Sequence, residues 1–287
     1  MKHIYNTLIT CALLLVMGAC ADAPAADPAL KVITMNMRYD NPADGDNNWN
    51  YRYDEIARML LREQPDLMGT QELLAHQLDT LKARMTDYAT IGIAREDGIR
   101  QGEHSAIFYR KDRFEEVSSG NFWLSETPDK VGSFGWDAAC VRIATWAVLR
   151  DRSGRELFFL NTHFDHEGKV ARQKSGDLLV DRVKALAGDR PVIVTGDFNA
   201  DPESDVIRNI LSKNVLRHAR DIAAERYGAD WSFTSFGTIP EEERILIDYI
   251  FVGGPLSVDR YEVMPETNAA GRHYSDHAPV KAILHYN

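Results

Sequence analysis

Residues 191–199 read PVIVTGDFN, and the rest of the chain is organised around them. Val192, Ile193 and Val194 are a β-branched run after a proline, short enough for a buried strand. The strand runs into Thr195 and Gly196, and Gly196 permits a backbone turn that other residues resist. Beyond it, Asp197 and Asn199 flank Phe198. Extended geometry through these three would put carboxylate and carboxamide on one side and the phenyl ring on the other. An acid and an amide at a strand end are suited to gripping a water and its target. The same triplet also reads as an Asx-rich turn.

The chain has 287 residues, 44% hydrophobic and 26% charged, which is ordinary globular composition. About 260 remain once the N-terminus is set aside, enough for one large α/β domain. The formal net charge is −10, and −11 without the leader that carries Lys2. An acidic surface repels polyanions and disfavours tight non-specific nucleic-acid binding, although a metal site could offset this locally.

At the N-terminus, Lys2 precedes an apolar stretch, residues 8–17, too short to span a bilayer. It ends Met17-Gly18-Ala19-Cys20, which resembles the lipobox of bacterial lipoproteins. That resemblance implies a signal peptide at 1–19, a lipidated Cys20, a flexible tether over 20–29, and a place in the bacterial cell envelope. With Cys11 removed and Cys20 acylated, Cys140 alone remains, so no disulfide is expected. Cys140 lies in an apolar run and reads as a small core residue.

In the mature chain, residues 30–37 form a strand delivering Asn36 near its end, followed by a polar loop over 38–52. A helix is expected over 54–62, with acidic residues in its first turn. A short strand, 67–70, ends on Gln71-Glu72, and 73–85 has helical periodicity. Strands are expected at 88–93, 105–110, 114–124 and 139–150, with a loop over 125–137. A strand at 156–164 leads to a helix over 169–187. After Asn199 come a short helix, 204–212, and strands at 232–236, 245–252, 257–263 and 279–285. No low-complexity segment or linker divides 30–287, which reads as one domain.

Several strands end in groups able to handle metal or phosphate: Asn36, Glu72, Asn161 and His163, then Asp197 and Asn199. Asp248 lies in Ile247-Asp248-Tyr249, and Asp276-His277 precedes Ala278-Pro279. Each has a duller reading as scaffold, surface or turn. A charge inside an apolar strand, as at Asp248, nevertheless needs a partner.

Asn36, Gln71-Glu72, Asn161-Thr162-His163, Gly196-Asp197-Phe198-Asn199, Ile247-Asp248-Tyr249 and Ser275-Asp276-His277-Ala278-Pro279 resemble the ordered motifs of the endonuclease/exonuclease/phosphatase superfamily. Its members include pancreatic-type deoxyribonuclease, abasic-site endonucleases, sphingomyelinases and poly(A) deadenylases. The resemblance runs from about residue 30 to the end and implies a four-layer α/β sandwich, two packed mixed sheets with helices outside. It also implies roles. Glu72 with Asn36 resembles the divalent-metal site, for one or two Mg²⁺ or Mn²⁺ ions, with Asp276 as a further ligand or a hydrogen-bond partner of the water. His277 paired with Asp248 resembles the dyad at the scissile phosphate. Asp197 would orient or deprotonate water, Asn199 hold the phosphate, and His163 bind a phosphoryl oxygen. Tyr109 resembles a phosphate-contacting position.

The loop after Trp123 carries Trp136, Asp137 and Arg142. Trp123 and Trp136 could each be a platform for a sugar ring or base or ordinary core, with core preferred for Trp123 because aromatics on strands usually pack. Arg142 could clamp a phosphate or form a surface ion pair. His104 and His166 read as structural or peripheral. The expected reaction is metal-assisted attack of water on phosphorus. Three functions stay open for the expected monomer. The first is hydrolysis of a small sugar- or lipid-linked phosphate, as a diester or a monoester. The others are an envelope nuclease, which the charge opposes, and a non-catalytic binding protein on the same fold.

Overall fold

A computed structural model describes residues 29–287; the expected signal peptide, Cys20 and the expected tether up to residue 28 lie outside them. The first strands are β1 (Leu30–Asn36), β2 (Leu67–Gln71), β3 (Tyr88–Ile91), β4 (Ile107–Arg110), β5 (Phe114–Trp123) and β6 (Ile143–Asp151). They continue as β7 (Glu156–His163), β8 (Val192–Asp197), β9 (Arg217–His218), β10 (Glu225–Gly228), β11 (Asp248–Gly253), β12 (Leu256–Val263) and β13 (Val280–Tyr286). The main helices are α1 (Trp49–Glu63), α2 (Ala75–Arg84), α3 (Lys169–Ala187) and α4 (Asp205–Ser212). A seven-stranded sheet runs β10-β12-β13-β1-β2-β4-β3, and a six-stranded sheet runs β5-β6-β7-β8-β11-β9.

Alternation along β1 explains the layering. Val32 joins the core shared by the two sheets, while Ile33 and Met35 face the other way, onto Ile56, Met59 and Leu60 of α1. On the six-stranded side, Leu179, Val180 and Val183 of α3 bury against the sheet. The result is an α/β sandwich, with helices on the outer faces of two mixed sheets.

Each sheet holds a parallel pair joined by a helix: β1–α1–β2 and β7–α3–β8. In register, Asn36 lies beside Gln71, and His163 beside Asp197. Asp248 lies opposite Asp197 on the antiparallel neighbour β11. Polar strand ends from both sheets therefore arrive at one edge.

Asn161 bolts the sheets together behind that edge. Its Nδ2 donates to the carbonyls of Thr70 (2.8 Å) and Ala106 (3.1 Å), and its Oδ1 accepts from Gln71 Nε2 (2.7 Å) and Thr195 Oγ1 (3.0 Å). The sheets approach so closely there that a Cβ on Gly69 would lie 2.0 Å from Thr195 Oγ1.

Several local expectations need correction. Gly196 is strand, not turn; a Cβ there would lie 2.6 Å from the Thr162 carbonyl, so close packing of β7 selects glycine. The turn comes at Asn199, whose φ is 46°. Helix α1 begins at Trp49 rather than Asp54, because the Asn48 side chain accepts from the Asn50 amide and caps it. No acidic residue stands in its first turn. Residues 232–236 form no strand: Phe233 makes only isolated bridges, to Ile245 and His277, before Ser235 and Phe236 turn with φ near 50° and 56°. β11 starts at Asp248, three residues later than expected, and β9 and β10 were not foreseen.

Candidate active site

The ends of β7, β8 and β11 set the centre. Asp248 is fully buried, and its Oδ2 takes two hydrogen bonds, from His277 Nδ1 at 2.7 Å and Ser232 Oγ at 2.6 Å. Ser232 Oγ in turn accepts from the amides of Ile247 and Asp248, both at 3.1 Å, so the backbone fixes the hydroxyl that fixes the carboxylate. The other ring nitrogen of His277, Nε2, faces Asp197 Oδ2 at 3.8 Å.

Asp197 is held from three sides. Its Oδ1 accepts from the Asn199 amide at 2.9 Å, an Asx turn made by the left-handed Asn199. Its Oδ2 accepts from Asn36 Nδ2 at 3.0 Å and lies 3.4 Å from His163 Nε2. Phe198 points away into an aromatic cluster with Phe164, Tyr249 and Phe251. Carboxylate and carboxamide do share a side, through a left-handed turn rather than continued extension.

The opposite strand ends bring Glu72, at φ 65°, and Asn36. Asn36 Nδ2 donates to Glu72 Oε1 at 3.0 Å as well as to Asp197, and its Oδ1 accepts from the Arg38 amide. Asn36 therefore presents its amino group, not its carbonyl, to both carboxylates. Glu72 Oε2 accepts from the Tyr39 amide at 3.0 Å. Asp276 lies 3.6 Å from Arg38, whose guanidinium is held bidentately by Asp44.

These groups surround a cavity of about 690 Å³, lined by Glu72, Arg142, His163, Asp197, Asn199, Asp276 and His277 among others. Burial, reinforced by Asp248, pushes the Asp197 carboxyl up to about 7, against the pull of His277 and the amide donors. Burial opposes a charge on His277, but Asp248, Asp197 and Asp276 together outweigh it and lift the imidazole to about 10. Burial, with Arg142 and Arg95 behind it, holds His163 well below the usual histidine range. The centre thus pairs a cationic His277 with a neutral His163.

Glu72 and Asp276 line the same cavity as Asp197, and Asn36 bridges Glu72 to Asp197; carboxylate oxygens of this kind suit a hard divalent cation such as Mg²⁺ or Mn²⁺. Asp197, Asp248 and His277 also cluster within 4.8 Å of one another. Two of the three, Asp248 and His277, are committed to each other by a hydrogen bond, so Glu72 and Asp276 suit a cation better.

Other expected residues lie elsewhere. Tyr109 is in the core between the sheets, outside the cavity lining. Trp136 stands at φ 44° with its amide on the Glu126 carboxylate, also outside the lining. Asp137 accepts from the Val170 and Ala171 amides at the start of α3. Trp123 is buried and donates its indole N–H to the Arg95 carbonyl at 2.6 Å. His104 is buried on the Leu73 carbonyl, whereas His166 lines the cavity beside Arg142. Cys140 is not core: it is half-buried on the cavity wall near Asp165.

The sequence reading missed Ser232, which no pattern marks, and Arg38, two residues past Asn36. It also missed Arg95 and Glu103, an ion pair across one loop, and the apolar wall of Phe233, Phe236, Ile245 and Ile247. The loop pair and this wall meet only through tertiary folding.

The profile described as "Endonuclease/Exonuclease/phosphatase family" matches residues 33–277. A Bacteroides vulgatus endonuclease/exonuclease/phosphatase superimposes with a TM-score of 0.88 and 41% identity, covering 91% of this chain and 100% of that one. A mannosyl-6-phosphatase from Bacteroides thetaiotaomicron superimposes with a TM-score of 0.84 and 40% identity, covering 90% of this chain and 100% of that one. Nocturnin of Drosophila melanogaster is 30% identical over 181 residues, 59% of this chain; the match spans only 27% of nocturnin's length. Motif order, sheet architecture and the match over residues 33–277 agree, and the chain belongs to the endonuclease/exonuclease/phosphatase family of phosphoesterases.

Proposed function

We propose that the chain is a divalent-metal-dependent phosphoesterase acting on a small sugar- or lipid-linked phosphate by in-line attack of water. The observation that carries this is the Ser232–Asp248–His277 array facing Asp197 in a cavity that Glu72 and Asp276 also line. A cationic imidazole fixed by a buried acid places positive charge where a phosphoryl oxygen gains negative charge. Asp197 orients water and takes its proton, and Asn36 and the Asn199 amide hold that carboxylate in place. Asn199 and His163 contact the phosphoryl oxygens. Attack opposite the leaving oxygen breaks the P–O bond without a covalent enzyme intermediate.

Glu72 and Asp276 would hold one or two Mg²⁺ or Mn²⁺ ions. Bound there, the metal supplies Lewis-acid charge against the phosphate. Likeness to a mannosyl-6-phosphatase supports a sugar phosphate monoester over a diester. The net charge of −10 stands against a nuclease. Cys20 would anchor the protein to the bacterial envelope; radiolabelled palmitate absent from wild type, or present in a Cys20→Ser variant, would remove that assignment.

The test is Mg²⁺-dependent hydrolysis of an aryl phosphomonoester, an aryl phosphodiester, a hexose 6-phosphate and DNA, with chelator and His277→Ala as controls. Turnover of the small esters, lost in both controls, is the expected result. Turnover mainly of DNA would replace this reading with the nuclease. Silence on every substrate would leave a binding protein.

A further inference from the structure

We propose that Arg142, with the Arg95–Glu103 pair beside it, forms a subsite that reads the hydroxyl edge of a sugar ring. The proposal takes the position of the phosphate, at Asp197 and His277, from the reading above. It adds what the rest of the substrate carries.

Arg142 is 5% exposed and lines the cavity. Its Nη2 faces His166 Nδ1 at 2.9 Å, whereas Nε and Nη1 have no acceptor among the described residues. Asp165 is the nearest carboxylate, 3.5 Å from Nε, beyond the usual range of an N–H···O bond. It is not free to turn. Its Oδ2 accepts from the Ala139 and Cys140 amides, and its Oδ1 from those of Glu167 and Gly168. Arg95 repeats the pattern: one nitrogen meets Glu103, and Nε has no acceptor. Buried donors without acceptors are uncommon in folded proteins, because each has given up its hydration. Here they gather on one flank of a substrate-sized cavity.

Charge decides what kind of acceptor belongs there. Arg95 and Arg142 are matched by Glu103 and Asp165, so the flank carries no surplus positive charge for a second phosphate or carboxylate. Hydroxyl groups both accept and donate, and suit a wall that alternates guanidinium with carboxylate. Phe233, Phe236, Ile245 and Ile247 line the same cavity. Phe236 is fixed in a left-handed conformation, φ 56°, with the Arg52 guanidinium over its ring at 5.4 Å. The lining therefore offers apolar side chains as well as hydrogen-bonding ones. A pyranose has the same division, with C–H groups on one face and hydroxyls at its rim. A lipid chain would suit the apolar wall and leave the Arg142 donors unmet.

The test is calorimetric binding of non-hydrolysable phosphonates to the full chain. The probes are a hexose 6-phosphonate, its 2-, 3- and 4-deoxy forms, an aryl phosphonate and a nucleoside phosphonate. In wild type, at least one deoxy form should bind tenfold or more weakly than the parent hexose, the loss of one hydrogen bond to a charged donor. Arg142→Gln and Arg142→Lys should each reduce that discrimination to under twofold, while the aryl phosphonate stays within threefold of its wild-type affinity. Arg95→Gln gives an independent reading if the Arg142 variants fold poorly.

Equal loss of hexose and aryl phosphonates would overturn the subsite and make Arg142 a phosphate clamp. Undiminished discrimination in all variants, or tightest binding of the nucleoside probe, would overturn it too. Hydrolysis of an aryl phosphate by wild type reports separately on the phosphoesterase reading. Hydroxyl discrimination without any hydrolysis would sink that reading and keep the subsite.

Discussion

Asp248 and Arg142 are both buried charged groups at one cavity, and they are built in opposite ways. Asp248 meets its partners inside the fold: Ser232 and His277 share its Oδ2, and the backbone amides of Ile247 and Asp248 hold Ser232. Arg142, on the cavity lining, keeps two donors without an acceptor among the described residues, with the nearby Asp165 tied down by amides. A group needed in every turnover is best fixed before substrate arrives, because reorganisation is then avoided. A group that recognises one substrate among many has to keep its donors open.

The largest effect should follow from breaking the fixed side. His277→Ala should lower kcat by about a thousandfold, within the range for a positioned acid, base or oxyanion donor. Single-turnover hydrolysis of an aryl phosphate measures it, and a loss under tenfold would remove His277 from the centre. Asp248→Asn should reduce kcat by about a hundredfold and move the alkaline limb of the pH–rate profile downward. The sign follows from the imidazole: Asp248 is a principal cause of its rise to about 10, so without that charge the ring loses its proton at lower pH. An unmoved limb would mean that a different group titrates there.

The same pairing reaches stability. His277 has a folded pKa raised above the ordinary histidine value near 6.5. Its contribution is therefore complete below about pH 6.5 and is lost as pH rises through about 10. Denaturant melts of wild type and Asp248→Asn should converge toward the alkaline end of that window.

Ser232→Ala sharpens the comparison with a smaller effect. It should cut kcat roughly tenfold with KM unchanged, because the hydroxyl acts only through Asp248. Smallest of all should be Tyr109→Phe: the residue packs in the core outside the cavity lining, so turnover within about twofold of wild type is expected. A large loss there would restore the phosphate contact that its sequence context implies.

How much could be read in advance follows the same division. The strand ends were legible because β-branched or aromatic runs stop at a polar residue, as PVIVTGDFN does around Asp197 and FFLNTH around His163. Helix α3 was legible to the residue at both ends, 169 and 187. Gly196 was misread because glycine serves turns and close approaches alike, and only the neighbouring Thr162 carbonyl decides between them. The start of α1 was misread because the Asn48 cap sits inside a run of asparagines and aspartates with no unique stop. Arg95 and Glu103 lay in a loop without periodicity, and their pairing depends on a bridge between Ala94 and His104. Residues held by strands declare themselves in sequence; residues held by loops do so only in three dimensions.

The four bonds of Asn161 bear on how this molecule can change. Three of them join the sheets, through Thr70, Ala106 and Gln71, and the fourth, from Thr195, ties Asn161 to its own sheet, all behind the strand ends. Asn161→Ala should destabilise the fold by about 3 kcal/mol, since it orphans several buried partners; a melt within 1 kcal/mol of wild type would refute that. The loops bearing Arg95, Arg142 and Phe236 take no part in that joint. Their sequences can drift toward another substrate while the sheets, and the reaction centre they align, stay as they are.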